Sequence, residues 1–278
     1  YLFVCVVANI ALDLLFVIVF QWGIEGAAAA TALSQVVCAA LVVRALRRLP
    51  EEQRLLYDRE ELDRGILRRM LHVGIPAALQ SSMYGIANIV LQVGINMLGT
   101  DSMAGWTAFN KFDDYYWPIS NAIGIAVMTY VGQNFGAGKL DRVKKSLWVT
   151  LGMGVLYTLC TGALLLAFQN PIMHLFTSDE TVVAFGCSAM HYFCPFYFLL
   201  AILHGMAGAV RGTGRSVPPM VVLLISLCLF RVVWIQFVLP FFAGIEGVFV
   251  LYPVSWALGA VLMALYAWKG SWMTYEHS

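Results

Sequence analysis

The feature that most constrains this chain is its succession of long apolar stretches. Residues 247–268, for example, contain no charged side chain, and about 20 apolar residues are enough to cross the hydrocarbon core of a bilayer. Hydrophobic residues make up 60% of the sequence and charged residues 12%, whereas soluble domains carry about 25% charged residues. A water-soluble fold cannot bury this much apolar surface, so the sequence predicts a protein that lies in a membrane.

The apolar stretches predict an all-α polytopic membrane protein with eight transmembrane helices, because backbone groups in lipid must be paired within their own segment. The predicted helices are 1–21, 26–43, 71–99, 113–135, 146–170, 181–209, 217–240 and 245–268. Lys and Arg concentrate after the even-numbered helices, and acidic residues mark the odd-numbered connections. Since basic residues stay on the cytoplasmic side, this alternation predicts a multi-pass protein of the cell membrane with its even-numbered connections in the cytoplasm.

A repeated turn predicts two lobes. The sequence GIEG occurs at Gly23–Gly26 and again at Gly244–Gly247, each time after an apolar helix and with Phe three residues before it. Both copies run in the same direction on the same predicted side, which is typical of transporters built from parallel repeats. The spacing predicts that 1–47 are the last two helices of a first, N-terminal six-helix lobe. Residues 48–69 would be a cytoplasmic linker and 70–278 a complete six-helix lobe, and the other helices of the first lobe would lie before the first residue.

Four motifs lie along the chain in order: NIALDLLFVIVFQWGIEGAAAATALSQ (9–35), VGIPAALQS (73–81), VGQNFGAGKLDR (131–142) and RGTGRSVPPM (211–220). Together they resemble the MATE family, the multidrug and toxic compound extrusion transporters. The resemblance implies twelve helices in two six-helix lobes, of which this chain would be the C-terminal two-thirds. It also implies a secondary active transporter that exports amphipathic, often cationic, organic compounds in exchange for H⁺ or Na⁺ by alternating access. We expect no cofactor besides the coupling ion, and a monomer at full length.

A candidate ion site lies in the first helix. Asp13 is about midway along it, and Asn9 is one turn earlier on the same face. An ionisable group inside the membrane costs about 2.5–3.5 kcal/mol on insertion scales and is a functional hypothesis by default. A carboxylate and an amide oxygen suit a hard cation, or a proton exchanged for one. The resemblance implies that Asn9, Asp13 and Thr31 form the cation site of the N-terminal lobe, with Na⁺ as the one metal expected; the structural alternative is that Asp13 only hydrogen-bonds within the bundle.

A candidate substrate cavity involves the predicted C-terminal lobe. Polar residues recur every fourth position in the helix 71–99, and such a stripe either faces a water-filled cavity or joins helices by hydrogen bonds. We predict the cavity. His191 could exchange protons near neutral pH, Arg231 lies deep in its helix, and the repeat aligns aromatic residues with the polar ones of the first lobe. The predicted cavity residues are Gln80, Tyr84, Asn88, Gln92, His191, Tyr192, Arg231, Trp234 and Tyr252.

The remaining carboxylates of the helices are expected to be structural. Asp113 and Asp114 are predicted to begin a helix near the extracytoplasmic surface, where carboxylates favour a helix N-terminus. The stretches 74–98 and 182–208 contain no acidic residue. We therefore expect any cation site to be confined to the first lobe.

Other functions remain open at this point. A flippase for lipid-linked precursors, from the wider superfamily, would need a strongly basic central cavity. A membrane-embedded enzyme would need paired nucleophiles and bases or metal ligands, and the sequence has no HExxH, GxSxG or Cys/His cluster. The net charge of +1 gives no reason to expect nucleic acid as a partner. The expected partners are a small organic substrate and the lipid bilayer.

Overall fold

A computed structural model describes residues 2–50, 63–97, 99–242, 244–269 and 271–273. All the regular structure in these residues is helical, and helices account for 89% of them, which confirms the all-α prediction. The chain divides into two compact units, unit 1 at Tyr1–Arg64 and unit 2 at Gly65–Ser278. Most of the predicted linker 48–69 lies at 51–62, outside the described residues.

Unit 1 is a pair of helices joined by a tight turn. Helix α1 (Leu2–Asp13) passes directly into a π turn (Leu14–Val19), and α2 spans Gly23–Leu46. The Phe20 N–H donates to the carbonyl oxygen of Leu15, five residues back, at 3.0 Å. The chain then reverses through two residues with positive φ, Gln21 at 56° and Gly23 at 58°. Glycine adopts this conformation without steric cost. Gly23 is also the first residue of α2, so this helix begins with the first GIEG copy.

Unit 2 contains the remaining helices of the described residues. They are α3 (Arg64–Asn96, its first residue in unit 1), α4 (Thr100–Gly136), α5 (Leu140–Ala167), α6 (Gln169–His174), α7 (Glu180–Phe193), α8 (Tyr197–Gly212), α9 (Val217–Leu223), α10 (Phe230–Phe237) and α11 (Glu246–Trp268). Asp179 caps α7, because its Oδ1 accepts a hydrogen bond of 2.8 Å from the Thr181 backbone N–H. The second GIEG copy lies at the start of α11, which begins at its third residue, Glu246, whereas α2 begins at the first residue of the first copy.

Two helical runs of unit 2 are interrupted without ending. A 3₁₀ turn at Cys194–Phe196 separates α7 from α8, where Pro195 cannot donate a backbone hydrogen bond. A π turn at Leu224–Leu229 separates α9 from α10, and the Phe230 N–H donates to the carbonyl oxygen of Ile225. π turns inside α-helices are frequent at functional sites. This one ends two residues before the predicted cavity residue Arg231.

Helices α4 and α8 are in backbone contact. A Cβ atom added to Gly124 would lie 2.9 Å from the carbonyl oxygen of His204, and one added to Gly212 would lie 2.7 Å from the carbonyl oxygen of Met128. A Cβ added to Gly208 would meet the carbonyl oxygen of Gly124. Small residues allow such close helix packing inside membranes. We call this line of contact the α4–α8 seam.

Within the described residues, five helical segments are long and apolar enough to cross a membrane. They are Gly23–Leu46, Leu140–Ala167, Glu180–Gly212, Val217–Phe237 and Glu246–Trp268, and Phe3–Val19 is a shorter apolar helix. The total of eight spans stays a prediction, as does the division into lobes. Three predicted helix starts were too late. The helices predicted from 71, 113 and 146 begin at Arg64, Thr100 and Leu140, because their first turns carry polar and charged residues and give no hydropathy signal.

Candidate functional site

The helices of unit 2 line a partly open cavity of about 380 Å³. The lining residues come from α3, α4, the second π turn, α10 and α11, and combine aromatic rings with amide and charged groups. They are Tyr84, Asn88, Leu91, Gln92, Trp106, Asn110, Asp113, Leu227, Arg231, Tyr252 and Trp256. Small-molecule sites in proteins have volumes of roughly 300–1,000 Å³ and a few placed polar groups, so this cavity is the candidate site of unit 2.

Five of the residues predicted from the sequence line this cavity. Tyr84, Asn88 and Gln92 follow one another at intervals of four on α3, which places them on one helix face. Arg231 comes from α10 and Tyr252 from α11. The structure thus brings together polar residues that are far apart in the sequence.

The fourth member of the polar stripe on α3 lies elsewhere. Gln80 is buried, and its Oε1 accepts a hydrogen bond from Nη2 of Arg211, near the end of α8. Trp234 also has a partner outside the cavity, because its Nε1 donates to the carbonyl oxygen of Gly247 at 2.9 Å. Both side chains connect helices of unit 2.

The two predicted residues on α7 are also away from the cavity lining. His191 is exposed, and its Nδ1 lies 2.8 Å from the carbonyl oxygen of Cys187 in the same helix. Tyr192 packs on Phe249, with 5.6 Å between the ring centroids. The structure therefore places both in surroundings other than the cavity.

One wall of the cavity is aromatic. The ring centroids of Trp106 and Tyr252 are 5.6 Å apart, and those of Tyr252 and Trp256 are 5.8 Å apart with an edge-on interplanar angle of 81°. Behind them Phe193 lies 4.9 Å from Tyr252 and 5.6 Å from Trp256, centroid to centroid. Edge-on and tilted pairs are favourable for aromatic rings, so the wall is held in a fixed arrangement.

Arg231 is held by α11. Its side chain is 8% exposed, its Nε donates to Ser255 Oγ at 3.2 Å, and its Cζ lies 4.1 Å from the ring centroid of Tyr252. A guanidinium over an aromatic ring is attracted by the negative face of the ring. Ser255 in turn donates to the carbonyl oxygen of Tyr252 at 2.8 Å.

Asp113 is the functional candidate that sequence reasoning missed. Instead of beginning a helix at the surface it lies within α4, half-buried, and lines the cavity. Its Oδ1 accepts a hydrogen bond of 2.7 Å from the hydroxyl of Tyr197, a fully buried residue of α8. The spacing of Trp106, Asn110 and Asp113, four residues and then three, was the signal for a common helix face. The side chain of Asp114 lies outside the described part of the chain.

The predicted ion-site residues of unit 1 lie on both of its helices. Asn9 and Asp13 are half-buried on α1, and Asp13 is the last residue before the π turn. The Nδ2 of Asn9 is buried without a hydrogen-bond partner among the described residues. Thr31, on α2, is exposed, and its hydroxyl donates to the carbonyl oxygen of Ala27 in the same helix at 3.0 Å.

Comparison with known proteins assigns the fold. The MatE family model matches residues 76–235. A probable multidrug resistance protein NorM of Thermotoga maritima is 25% identical over 262 residues, which cover 91% of this chain and 54% of that protein. An FAD transporter of Shewanella oneidensis is 26% identical over 239 residues, which cover 84% of this chain and 51% of the FAD transporter. The chain therefore spans about half the length of these curated relatives.

Solved structures support the same fold. An outward-facing multidrug resistance MATE family transporter of the MOP superfamily superposes with a TM-score of 0.85 at 19% identity, over 95% of this chain and 59% of that one. At this identity the likeness concerns the fold.

Proposed function

The chain belongs to the MatE family, and from that premise we propose that the protein containing it is a secondary active transporter for multidrug efflux. In this proposal it exports amphipathic organic compounds, cations among them, in exchange for H⁺ or Na⁺ by alternating access. The chain is a multi-pass membrane protein, and proteins of this family are transporters rather than enzymes. The membrane-embedded enzyme considered from the sequence is therefore set aside.

The observation that carries the proposal is the cavity of unit 2. Its aromatic wall suits flat apolar rings, and its amide groups on α3 and α4 suit polar substituents. Its charged lining residues are Asp113 and Arg231. A flippase for lipid-linked precursors is supported less, because it would call for a strongly basic cavity, and among the described lining residues one carboxylate accompanies one guanidinium.

The coupling ion is proposed to bind in unit 1, at Asn9, Asp13 and Thr31. Support comes from the half-buried Asp13 carboxylate and from the π turn that begins directly after Asp13. Ionisable groups in membrane helices are functional candidates by default. Coupling requires that the ion and the substrate favour different states of the transporter, since a ligand shifts an equilibrium only by its differential affinity.

The test is dye export by cells that express the complete gene product, with imposed Na⁺ and pH gradients in separate arms. We expect Asp13→Asn to reduce gradient-driven export at least tenfold. The matched control is Asp141→Asn, which makes the same chemical change at an exposed residue in the first turn of α5 and should export like the wild type. Unchanged export by Asp13→Asn in both gradients would remove Asp13 from the coupling mechanism.

A further inference from the structure

We propose that a groove between α4 and α5 binds an anionic phospholipid of the cytoplasmic leaflet, with the lipid phosphate at Arg142 and Lys145 and an acyl chain along Ala126 and Val149. This α4–α5 groove lies apart from the cavity described above and shares no described lining residue with it. Neither the transported substrate nor the coupling ion enters into the binding of this lipid.

The groove is formed by one face of each helix. Its volume is about 570 Å³, within the range of roughly 300–1,000 Å³ that is typical of small-molecule sites. The α5 residues of the lining follow one another at intervals of three, one, three and one, which is the spacing of a single helix face. The lining residues are Arg142, Lys145, Ser146, Val149 and Thr150 on α5 and Ala126 and Tyr130 on α4.

A tight turn fixes the two helices at the charged end of the groove. Helix α4 ends at Gly136 and α5 begins at Leu140, and the turn between them lies inside the motif VGQNFGAGKLDR. The Lys139 backbone N–H donates to the carbonyl oxygen of Asn134 at 2.8 Å. Gly138 adopts a positive φ of 74°, which glycine does without steric cost. The helix ends are thus held before a ligand arrives, and such preorganisation lowers the cost of binding.

The charged end of the groove calls for an anion. Arg142 and Lys145 are exposed, and the ion pair found among the described residues joins α6 to α7 instead. Asp141 precedes Arg142 in the sequence but is not one of the described lining residues. Two like charges on one helix face repel each other, and an anion placed between them removes that repulsion.

The donors at this end suit a phosphate group. The guanidinium of Arg142 can bind phosphate with two parallel hydrogen bonds, and the ammonium of Lys145 adds a compact point charge. The phenol of Tyr130, on the facing helix, can donate as well. The groove therefore presents positive charge and hydrogen-bond donors from both of its walls.

The other end of the groove is apolar and lies deeper in the membrane. Thr150 is eight residues beyond Arg142, or about 12 Å along the helix axis, whereas the polar region of each leaflet is only about 5–8 Å thick. Val149 and Ala126 are exposed at this depth. The groove thus extends from the level of the headgroups to the level of the acyl chains.

The predicted orientation identifies the leaflet. The basic residues that follow α4 place this connection in the cytoplasm by the positive-inside rule. The cytoplasmic leaflet carries the negative surface potential, and basic pockets between transmembrane helices on that side bind anionic headgroups. A phospholipid matches both ends of the groove, whereas a free phosphate ion would match the charged end alone.

The test is a lipid titration of the purified complete gene product in detergent, read by native mass spectrometry. Dioleoyl phosphatidylglycerol and dioleoyl phosphatidylcholine have the same chains and differ in net charge, and we expect the wild type to bind the first about tenfold more tightly. Arg142→Gln combined with Lys145→Gln should weaken binding of phosphatidylglycerol by about 25-fold, or about fivefold for each cation, and change that of phosphatidylcholine less than about twofold.

The matched control combines Lys139→Gln with Lys144→Gln. It removes two positive charges from the same connection, at residues outside the described lining of the groove, and should bind both lipids like the wild type. Equal binding of the two lipids by the wild type, or an equal loss in the two double variants, would overturn the proposal. Displacement of phosphatidylglycerol by an equal concentration of glycerol phosphate would show that the chains contribute nothing and would refute a lipid site.

A further variant decides if the double variant of the groove fails to fold. Ala126→Trp keeps both cations and fills the apolar end of the groove at an exposed position. Weaker binding of phosphatidylglycerol by this variant would support the proposal. Binding equal to that of the wild type would refute it, because the acyl chain would then lie elsewhere.

Discussion

The α4–α8 seam leads to a quantitative prediction for Gly124→Ala. The new Cβ would lie 2.9 Å from the carbonyl oxygen of His204, and 3.4 Å from its carbonyl carbon and Cβ. Ordinary van der Waals contact begins near 3.4 Å, so the two backbones must separate by about half an ångström. The obstacle is backbone, which cannot turn aside as the end of a flexible side chain could.

The expected magnitude combines two opposing effects. Overpacking a well-filled interface costs about 1–3 kcal/mol, and replacing a helical glycine by alanine returns about 0.5–1 kcal/mol. The free energy of unfolding should therefore fall by about 1.25 kcal/mol at the middle of these two ranges, and each kcal/mol corresponds to about 2–4 °C in melting temperature for a domain of this size. Gly152→Ala on α5 is the matched control, because its Cβ would have nothing within 4 Å; it should leave the melting temperature unchanged or raise it.

A thiol-reactive fluorescent dye can report the melting of the purified protein in detergent. Cys194 and Cys228 are free thiols that are 1% and 4% exposed, so they react when the helices of unit 2 separate. We expect the order of melting temperatures to be Gly124→Ala, wild type, Gly152→Ala, from lowest to highest. If Gly124→Ala melts with the wild type or above it, the backbones of α4 and α8 are not in contact as described, and the reasoning fails.

Further variants test two of the side chains that were predicted for the cavity but lie outside its lining. Gln80→Leu leaves the Arg211 guanidinium without its acceptor and should lower the free energy of unfolding by about 1.5–3 kcal/mol, whereas Gln80→Glu, which keeps an acceptor, should not; the same thiol-reactive melt measures both. Trp234→Phe removes the 2.9 Å hydrogen bond to the carbonyl oxygen of Gly247, which should cost about 0.5–1.5 kcal/mol and leave dye export by cells unchanged. Loss of export in a stably folded Trp234→Phe protein would return Trp234 to the substrate path.

The helical architecture could be predicted from the sequence because lipid leaves the backbone so few options. Long apolar runs must be helical. The helix predicted over 181–209 is, however, interrupted by the 3₁₀ turn at Cys194–Phe196, because Pro195 cannot donate a backbone hydrogen bond. The beginning of α4 was missed because its first turns are amphipathic. Because hydropathy alone placed the start of this helix at 113, Asp113 was interpreted as a helix-terminal residue rather than as a residue of the cavity.

The cavity could be predicted only in part. The stripe on α3 was visible as a four-residue period, yet the period could not tell that Gln80 contacts Arg211 while Tyr84 lines the cavity. Which residues of a polar stripe meet a cavity depends on where neighbouring helices approach, and that information is not local in the sequence. The same holds for Trp234, whose indole partner is a backbone carbonyl thirteen residues away.

The π turn at Leu224–Leu229 has a consequence for the direction in which Arg231 points. A turn that closes on the fifth residue back, as from Phe230 to Ile225, contains one residue more than an α-turn, and each residue of an α-helix corresponds to about 100° of rotation. The side chains of α10 are therefore rotated about the helix axis by roughly 100° from the positions that an uninterrupted continuation of α9 would give them. The π turn thus sets the direction in which Arg231 leaves α10 and so allows the guanidinium to reach Ser255. Deleting one residue from this turn would rotate Arg231 away from α11.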